Sequence, residues 1–295
     1  MEQFSQLIVS GIANGCVYAI VAIGFSIIYG GTQVINFAQG EFVMVGAMVA
    51  AVLLTKVSLL VAFPAAIIAG CLVGALVALC VLVPLKRASV VSLIIMTVGA
   101  SIMLRGLAQL FWGEQSRQVP YFTGLHGGDD RTFHFFGAIV SAQQLWVVGV
   151  TVLLVVLTHL FFNYTLVGRA MRACSVNPTG ARLVGINVNR MIVLSFVMAA
   201  GLGAIAGVTV APLAYARCTM GTALGLKGFC AAVLGGLGSF GGGIAAGILL
   251  GVVEALIGLL IPSMSDYRDA AAFVILLVVL LLKPEGILSK RKAAA

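Results

Sequence analysis

The sequence predicts an all-α polytopic membrane protein, a bundle of about eight or nine transmembrane helices with glycine-broken segments. The chain has 295 residues, of which 61% are hydrophobic and 9% are charged, and its mean hydropathy is +1.16. Soluble domains are about a quarter charged, so this composition excludes one. The apolar runs are continuous over about 20 residues, the length of a spanning helix, and lack the alternation of barrel strands.

The first predicted span covers residues 7–29 and ends at a polar, glycine-rich break over residues 30–40. Gly11 and Gly15 form a pair of small residues four apart, which lets two helices approach closely. Asn14 lies between them. Because a polar group in hydrocarbon needs a partner, we expect Asn14 to face one, and we include it among the candidate pathway residues.

The break leads into a second apolar run, residues 41–54, which is short for a full crossing. Broken helices at membrane depth persist only against protein or beside a water-filled path. One interpretation is that polar residues of the break line or gate a translocation pathway. The other is an ordinary tight loop with an acid at a helix N-terminus, where a carboxylate is favourable. The candidate pathway residues in this region are Asn36, Gln39, Gly40 and Glu41.

Three further spans are predicted at residues 61–83, 91–111 and 145–162. Arg105 lies towards the outer end of the second of these, so we expect its side chain to extend to the lipid headgroups. The largest external segment, residues 112–142, contains His126 and His134. Without a nearby cysteine, we interpret these histidines as solvated loop residues, and a metal site is the alternative.

Residues 163–190 form the longest basic and polar interval of the chain, with four arginines and no acid. Asn177 is a good helix N-cap, Pro178 suits the first helical position, and Gly185 suits the left-handed position after a helix. These signals predict a helix of about two turns over residues 178–184. Arg182 would lie in its last turn, where a cation is favourable.

The second half of the chain predicts a span at residues 191–211, a glycine-interrupted apolar segment at 221–243, and two spans at 244–261 and 270–282. Lys227 in the interrupted segment is a further candidate pathway residue. Residues 36–46 and 227–243 look weakly alike, and paired broken segments in two halves of a chain are typical of a transport site. This similarity predicts an internal pseudo-repeat.

The net charge of +8 is distributed mainly in three basic clusters. These clusters lie near residues 86–87, within 163–190 and after residue 282, and the positive-inside rule places them and the C-terminus in the cytoplasm. Because membrane topology accounts for these basic clusters, the positive net charge does not indicate nucleic-acid binding. The six cysteines are scattered, without a paired spacing, and are interpreted as small packing residues.

Motifs for ATP binding, hydrolysis or metal ligation are missing from the sequence. We therefore predict no metal, no cofactor and no enzymatic site in this chain. A membrane pathway driven by partners is one remaining class. A self-sufficient channel or secondary carrier for small neutral solutes is the other, and the scarcity of charges within the spans disfavours ion coupling.

Several blocks of the sequence closely resemble bacterial branched-chain amino acid ABC transporter permeases of the LivH type. The blocks are residues 15–42, 168–173, 177–188, 226–239 and 251–254. Gln39 departs from the pattern, because many members of that family have His at this position. The resemblance extends over essentially the whole chain, so a single transmembrane permease domain is expected over residues 1–295.

This resemblance implies a multi-pass protein of the bacterial inner membrane that imports leucine, isoleucine or valine. The implied partners are a second, LivM-like permease, two cytoplasmic ATP-binding subunits and a periplasmic substrate-binding protein, all within membrane lipid. Urea, amides or other amino acids are alternative cargoes within the same class. The segment 163–190 would then be the loop that couples the chain to an ATPase subunit. Its candidate coupling residues are Arg169, Arg172, Asn177, Pro178, Ala181, Arg182 and Gly185.

Overall fold

The computed structural model describes residues 2–82, 89–123, 132–135, 138–260, 268–283 and 286, and it is almost entirely helical. The first four helices are α1 (Glu2–Thr32), α2 (Gln39–Leu53), α3 (Leu59–Val77), which continues as a π-helical stretch (Ala78–Leu82), and α4 (Val90–Trp112). An antiparallel hairpin of β1 (Thr132–Phe135) and β2 (Ala138–Ser141) precedes α5 (Ala142–Tyr164). The remaining helices are α6 (Leu166–Val176), α7 (Pro178–Leu183), α8 (Val188–Ala214), α9 (Met220–Leu234), α10 (Phe240–Leu260) and α11 (Arg268–Leu282).

Within the described residues, six helices are long and apolar enough to cross a membrane. They are α1, α3, α4, α5, α8 and α10, and the prediction of a polytopic helical membrane protein is confirmed. Three further apolar helices, α2, α9 and α11, have 15 residues each, or about 22 Å at the rise of an α-helix. The total of eight or nine crossings depends on these short helices and stays a prediction.

Three local features differ from the sequence-based expectation. The predicted external loop contains the β1–β2 hairpin. The basic interval contains two helices instead of one, since Thr165 accepts a hydrogen bond from the Gly168 backbone N–H at 2.9 Å and so begins α6. The glycine-interrupted segment is continuously helical over α9, because neighbouring helices pack closely against its glycines.

Side-chain contacts fix the relative directions of the helices. Gln143, at the start of α5, donates to the carbonyl oxygen of Thr209, near the end of α8, at 2.9 Å. Gln6, at the start of α1, accepts from the backbone N–H of Ile139 in β2 at 2.7 Å. Helices α1 and α5 therefore begin, and α8 ends, at the same end of the bundle. We call this the hairpin end, and the opposite end, which carries residues 163–190, the basic end.

The close contact between α1 and α10 is made by glycines, as the small-residue pairs predicted. A Cβ atom on Gly15 would lie 2.7 Å from the Cα atom of Ile248, and a Cβ atom on Gly247 would lie 2.7 Å from the backbone nitrogen of Ala19. Gly251 faces the backbone of Gly11 and Gly15. The two helices run antiparallel with touching backbones, which is the geometry that small residues permit.

Helices α1–α4 and α8–α11 form two halves that pack in the same way. α1 packs against α9 and α10, while α8 packs against α2 and α3; α4 contacts α2, and α11 contacts α9. α1 and α3 run towards the basic end, whereas their counterparts α8 and α10 run away from it. The halves are therefore inverted with respect to each other, as in many transporters. The sequence matched residues 36–46 to 227–243, but the structural counterpart of the break before α2 is the break at 215–219 before α9.

Candidate functional site

Helices α2 and α9 meet at their N-termini in the middle of the bundle. A Cβ atom on Gly40 would overlap the carbonyl oxygen of Gly221, and a Cβ atom on Gly221 would lie 2.6 Å from the carbonyl oxygen of Gly40. From this junction α2 follows α8 towards the hairpin end, and α9 follows α1 towards the basic end. Gly40, a predicted pathway residue, is thus needed for the close approach of the two helices.

Three predicted pathway residues cluster at the start of α2 and are at most 1% exposed. Asn36 Oδ1 accepts from the backbone N–H of Ala38 at 3.1 Å. Gln39 Nε2 donates to the carbonyl oxygen of Ala199 in α8 at 3.1 Å. Glu41 Oε1 accepts from the hydroxyl of Ser101 in α4 at 2.9 Å. These side chains connect the beginning of α2 with two other helices.

The same cluster contains polar atoms that lack a hydrogen-bond partner in the described structure. They are Asn36 Nδ2, Gln39 Oε1 and Glu41 Oε2. A buried polar atom without a partner costs about 1–3 kcal/mol, so such atoms are rare in stable cores. In a membrane bundle they are expected where a side chain meets water or cargo.

A cavity of about 260 Å³ lies beside the junction, between α4 and α9. Ser101, Arg105 and Thr222 form its polar wall, and Arg105 Nη1 donates to Thr222 Oγ1 at 2.8 Å. The expectation that Arg105 extends to the headgroups is therefore wrong. Its guanidinium turns towards α9, because the hydroxyl at the start of that helix provides a hydrogen-bond acceptor at membrane depth.

Lys227 belongs to a separate, internally satisfied cluster. Its Nζ lies 2.6 Å from Glu254 Oε1 and donates to Tyr18 Oη at 3.2 Å, while that phenol donates to Glu254 Oε2 at 2.8 Å. The cluster joins α9, α10 and α1. The sequence analysis selected Lys227 without its partner Glu254, since residues 27 positions apart on different helices give no spacing signal.

Asn14 is exposed on the outer surface of the described chain. Its expected contact with a partner and its place in a pathway stay predictions. Gly11 and Gly15 turn one face of α1 towards α10, and Asn14 lies on another face.

The segment 163–190 is a compact pair of helices at the basic end. Asn177 Oδ1 accepts from the backbone N–H of Gly180 at 2.9 Å, and Pro178 follows as the first residue of α7. Gly185 has φ of +85°, the left-handed conformation predicted for it. The helix ends at Leu183, with Val184 as its C-cap.

The interior of this segment is a small core formed by Cys174, Ala181 and Val188. Burial raises the pKa of the Cys174 thiol, and the nearby Arg182 guanidinium opposes this effect. Arg172 donates to Asn163 Oδ1 at 3.1 Å and also to the carbonyl oxygen of Phe162, so it fastens α6 to the end of α5. Ala181 thus belongs to the interior of the segment, whereas Arg172 is an exposed residue that joins the segment to α5.

The outer surface of the segment is apolar as well as basic. Val176, Leu183 and Val184 are 80%, 85% and 76% exposed. Arg169 and Arg182 are also exposed. Sequence reasoning selected the polar signals and missed these three residues, although exposed apolar side chains beside helix caps indicate a contact surface.

Comparison with known proteins decides the family. Residues 7–280 match the profile described as branched-chain amino acid transport system / permease component. The chain belongs to this permease family. The permease is 34% identical to the high-affinity branched-chain amino acid transport system permease protein LivH of Salmonella typhimurium, over 97% of this chain and 96% of that one. It is 33% identical to BraD of Pseudomonas aeruginosa, with the same coverage.

A more distant relative transports a different class of compound, according to its name. The permease is 31% identical to the ribose import permease protein RbsC of Escherichia coli, over 90% of this chain and 81% of that protein. The family therefore includes permeases named for amino acids and for sugars. The permease is a multi-pass membrane protein, and its own cargo requires a separate argument.

Proposed function

We propose that this permease is the transmembrane subunit of an ABC importer for leucine, isoleucine and valine, driven by ATP hydrolysis in separate subunits. It works with a second, LivM-like permease, two cytoplasmic ATP-binding subunits and a periplasmic binding protein, in the bacterial inner membrane with its C-terminus in the cytoplasm. The high identity to permeases named for branched-chain amino acids, over nearly their full length, supports this cargo more than a sugar.

The structural observation that carries the ATP-driven mechanism is the helical segment at the basic end. Its small core and caps make α6 and α7 a rigid unit, and three exposed apolar side chains form its outer face. A partner seated on this face can transmit its motion to α5 and α8, to which the unit is joined. A self-sufficient channel or carrier has no need for such a surface.

The first experiment is affinity purification of the permease from its native membrane, followed by reconstitution of the recovered complex in proteoliposomes. Recovery of a second permease and two ATP-binding subunits is expected, together with leucine uptake that needs both internal ATP and the binding protein. Ribose serves as the control cargo and should not accumulate. Uptake of leucine by the permease alone, without ATP, would favour the channel or carrier instead.

The pathway through the importer is proposed to pass the junction of α2 and α9. The buried polar atoms of Asn36, Gln39 and Glu41 support this route, because each lacks a hydrogen-bond partner that passing water or cargo would supply. Lys227 is assigned instead to holding α1, α9 and α10 together, since its ammonium already has an acidic and a phenolic partner.

A further inference from the structure

The cavity between α4 and α9 combines an apolar wall with the basic side chain of Arg105, and the buried acid Glu41 lies directly behind Gly221 of that wall. We propose that this cavity binds an α-amino acid zwitterion in transit, with the cargo's carboxylate at Arg105 and its ammonium at Glu41. The inference rests on the proposed function of amino acid import and adds the residues that recognise the cargo within the membrane.

The size and the apolar lining of the cavity suit an aliphatic amino acid. Its volume is about 260 Å³, below the range of about 300–1,000 Å³ that is typical of drug-sized ligands. The apolar part of the wall is formed by Phe25, Phe37, Val98, Ile102 and Leu226. A branched hydrocarbon side chain would pack against these residues, whereas a sugar would leave its hydroxyl groups without partners there.

Glu41 supplies the acidic partner. Ser101, a wall residue, donates to its Oε1, while Oε2 has no hydrogen-bond partner in the described structure. This second oxygen lies beside Gly221, another wall residue, and a Cβ atom there would be 2.8 Å from it. Glu41 is not a wall residue, but because Gly221 has no side chain, only the backbone of Gly221 separates this oxygen from the cavity. An ammonium group is the donor that forms the strongest hydrogen bonds with such an oxygen.

Arg105 supplies the basic partner. The hydrogen bond from its Nη1 to Thr222 Oγ1 holds the guanidinium against the start of α9. Guanidinium carries five N–H donors, so this bond leaves donors for a carboxylate, which it can bind in a bidentate manner. Arg105 and Glu41 both lie at the start of α9, beside the adjacent residues Thr222 and Gly221. The two charges of an α-amino acid are separated by one carbon atom, so they match adjacent groups of opposite sign.

The physical reason for such a site is the cost of moving two charges through a bundle of low polarity. An isolated ammonium or carboxylate in hydrocarbon is strongly disfavoured unless it is paired. A site with one partner for each charge stabilises the zwitterion and leaves one protein charge unpaired when the cargo lacks either group. It therefore favours amino acids over simple amines or acids with the same hydrocarbon chain.

The test uses the whole importer in proteoliposomes with radiolabelled leucine. Glu41→Gln and Arg105→Gln each remove one charge and keep a similar shape. We expect each to lower ATP-dependent uptake about tenfold or more, a difference of about 1.4 kcal/mol, while recovery of the assembled complex stays at the level of the unmutated importer. Arg105→Lys, which keeps the charge, should retain more uptake than Arg105→Gln. The matched controls are Glu114→Gln and Lys56→Gln, at exposed positions outside the cavity.

A second measurement reports on occupancy without turnover. Val98→Cys places a thiol on the cavity wall of a chain whose six native cysteines are replaced by alanine. Leucine should slow the modification of this thiol by a small methanethiosulfonate reagent. 4-Methylpentanoate and 3-methylbutylamine, which each lack one charge of leucine, should not.

The outcomes separate the two proposals. Normal uptake by Glu41→Gln and Arg105→Gln, or equal protection of the thiol by all three compounds, would overturn the zwitterion site and leave the importer intact. An unmutated importer without ATP-dependent leucine uptake would overturn the proposed function. Loss of the assembled complex together with uptake in both variants would assign Glu41 and Arg105 to assembly and would also overturn the site.

Discussion

Lys227, Glu254 and Tyr18 connect three helices through one buried ion pair. The two charged side chains are 9% and 14% exposed. Removing one partner of a buried pair leaves an uncompensated charge, which costs about 3–5 kcal/mol, whereas replacing both by apolar residues is often nearly neutral. We therefore expect Lys227→Met and Glu254→Met each to lower the thermal stability of the purified permease strongly, and the double variant to recover most of the loss. A double variant whose thermal stability falls by the sum of the two single losses would contradict this account.

Arg172 and Arg169 lie three residues apart on α6 but differ in their contacts. Both are exposed, but Arg172 donates to Asn163 and to the carbonyl oxygen of Phe162 in the last turn of α5. Arg172→Ala should therefore loosen α6, and we expect amide hydrogen exchange over residues 166–176 to become about tenfold faster, corresponding to the loss of about one charged hydrogen bond. Arg169→Ala is the matched control. Equal exchange in both variants would show that the contacts of Arg172 do not hold the helix.

At the scale of elements, the contact between α1 and α10 depends on the absence of side chains. Gly15→Val would push the two backbones apart, because even its Cβ atom would lie 2.7–2.9 Å from backbone atoms of α10. We expect lower thermal stability, by an amount similar to the 1–3 kcal/mol of an overpacked core. Gly99→Ala on α4, where a Cβ atom meets nothing within 4 Å, is the control and should be neutral or slightly stabilising. The measurement is the melting temperature in detergent.

The α6–α7 unit allows its interior and its outer face to be tested separately. Ala181→Glu places a charge in the small core and should unfold the segment. Leu183→Glu changes an 85% exposed side chain and should leave the segment folded, yet abolish stimulation of ATP hydrolysis by the binding protein. Leu183→Met, which keeps the apolar surface, should retain that stimulation. If Leu183→Glu assembles and transports normally, the outer face is not the contact with an ATPase subunit.

Much of the fold at this scale follows from local signals in the sequence. Asn177, Pro178 and Gly185 specify α7 through capping and backbone conformation, and the structure places its end within one residue of the prediction. The pair of Gly11 and Gly15 predicted a close helix contact of α1, although it did not identify α10 as the partner. In contrast, Arg105 was placed wrongly, because the orientation of a residue on a helix depends on neighbours that are distant in sequence. The ion pair of Lys227 was missed for the same reason.

At the scale of the whole molecule, the exposed Asn14 predicts where the second permease packs. An amide surrounded by lipid lacks hydrogen-bond partners, so we expect another subunit to cover it in the assembled importer. Asn14→Leu should leave the thermal stability of the isolated permease unchanged and reduce recovery of the second permease in affinity purification. Leu153→Ile, at a 56% exposed position on α5, is the control. Unchanged recovery with Asn14→Leu would place the subunit contact on another face.

The inverted arrangement of α1–α4 and α8–α11 has a consequence for the direction of transport. If the two inverted halves were identical, the protein would have the same energy when open to one side of the membrane as when open to the other. Any resting preference must then arise from residues without a counterpart in the other half. The ion pair of Lys227 and Glu254 is such a feature, since the equivalent place in the first half, where Gly46 packs on Ala204, carries no charge. We expect this ion pair to make the second half of the protein stiffer than the first, and so to favour one direction of opening over the other.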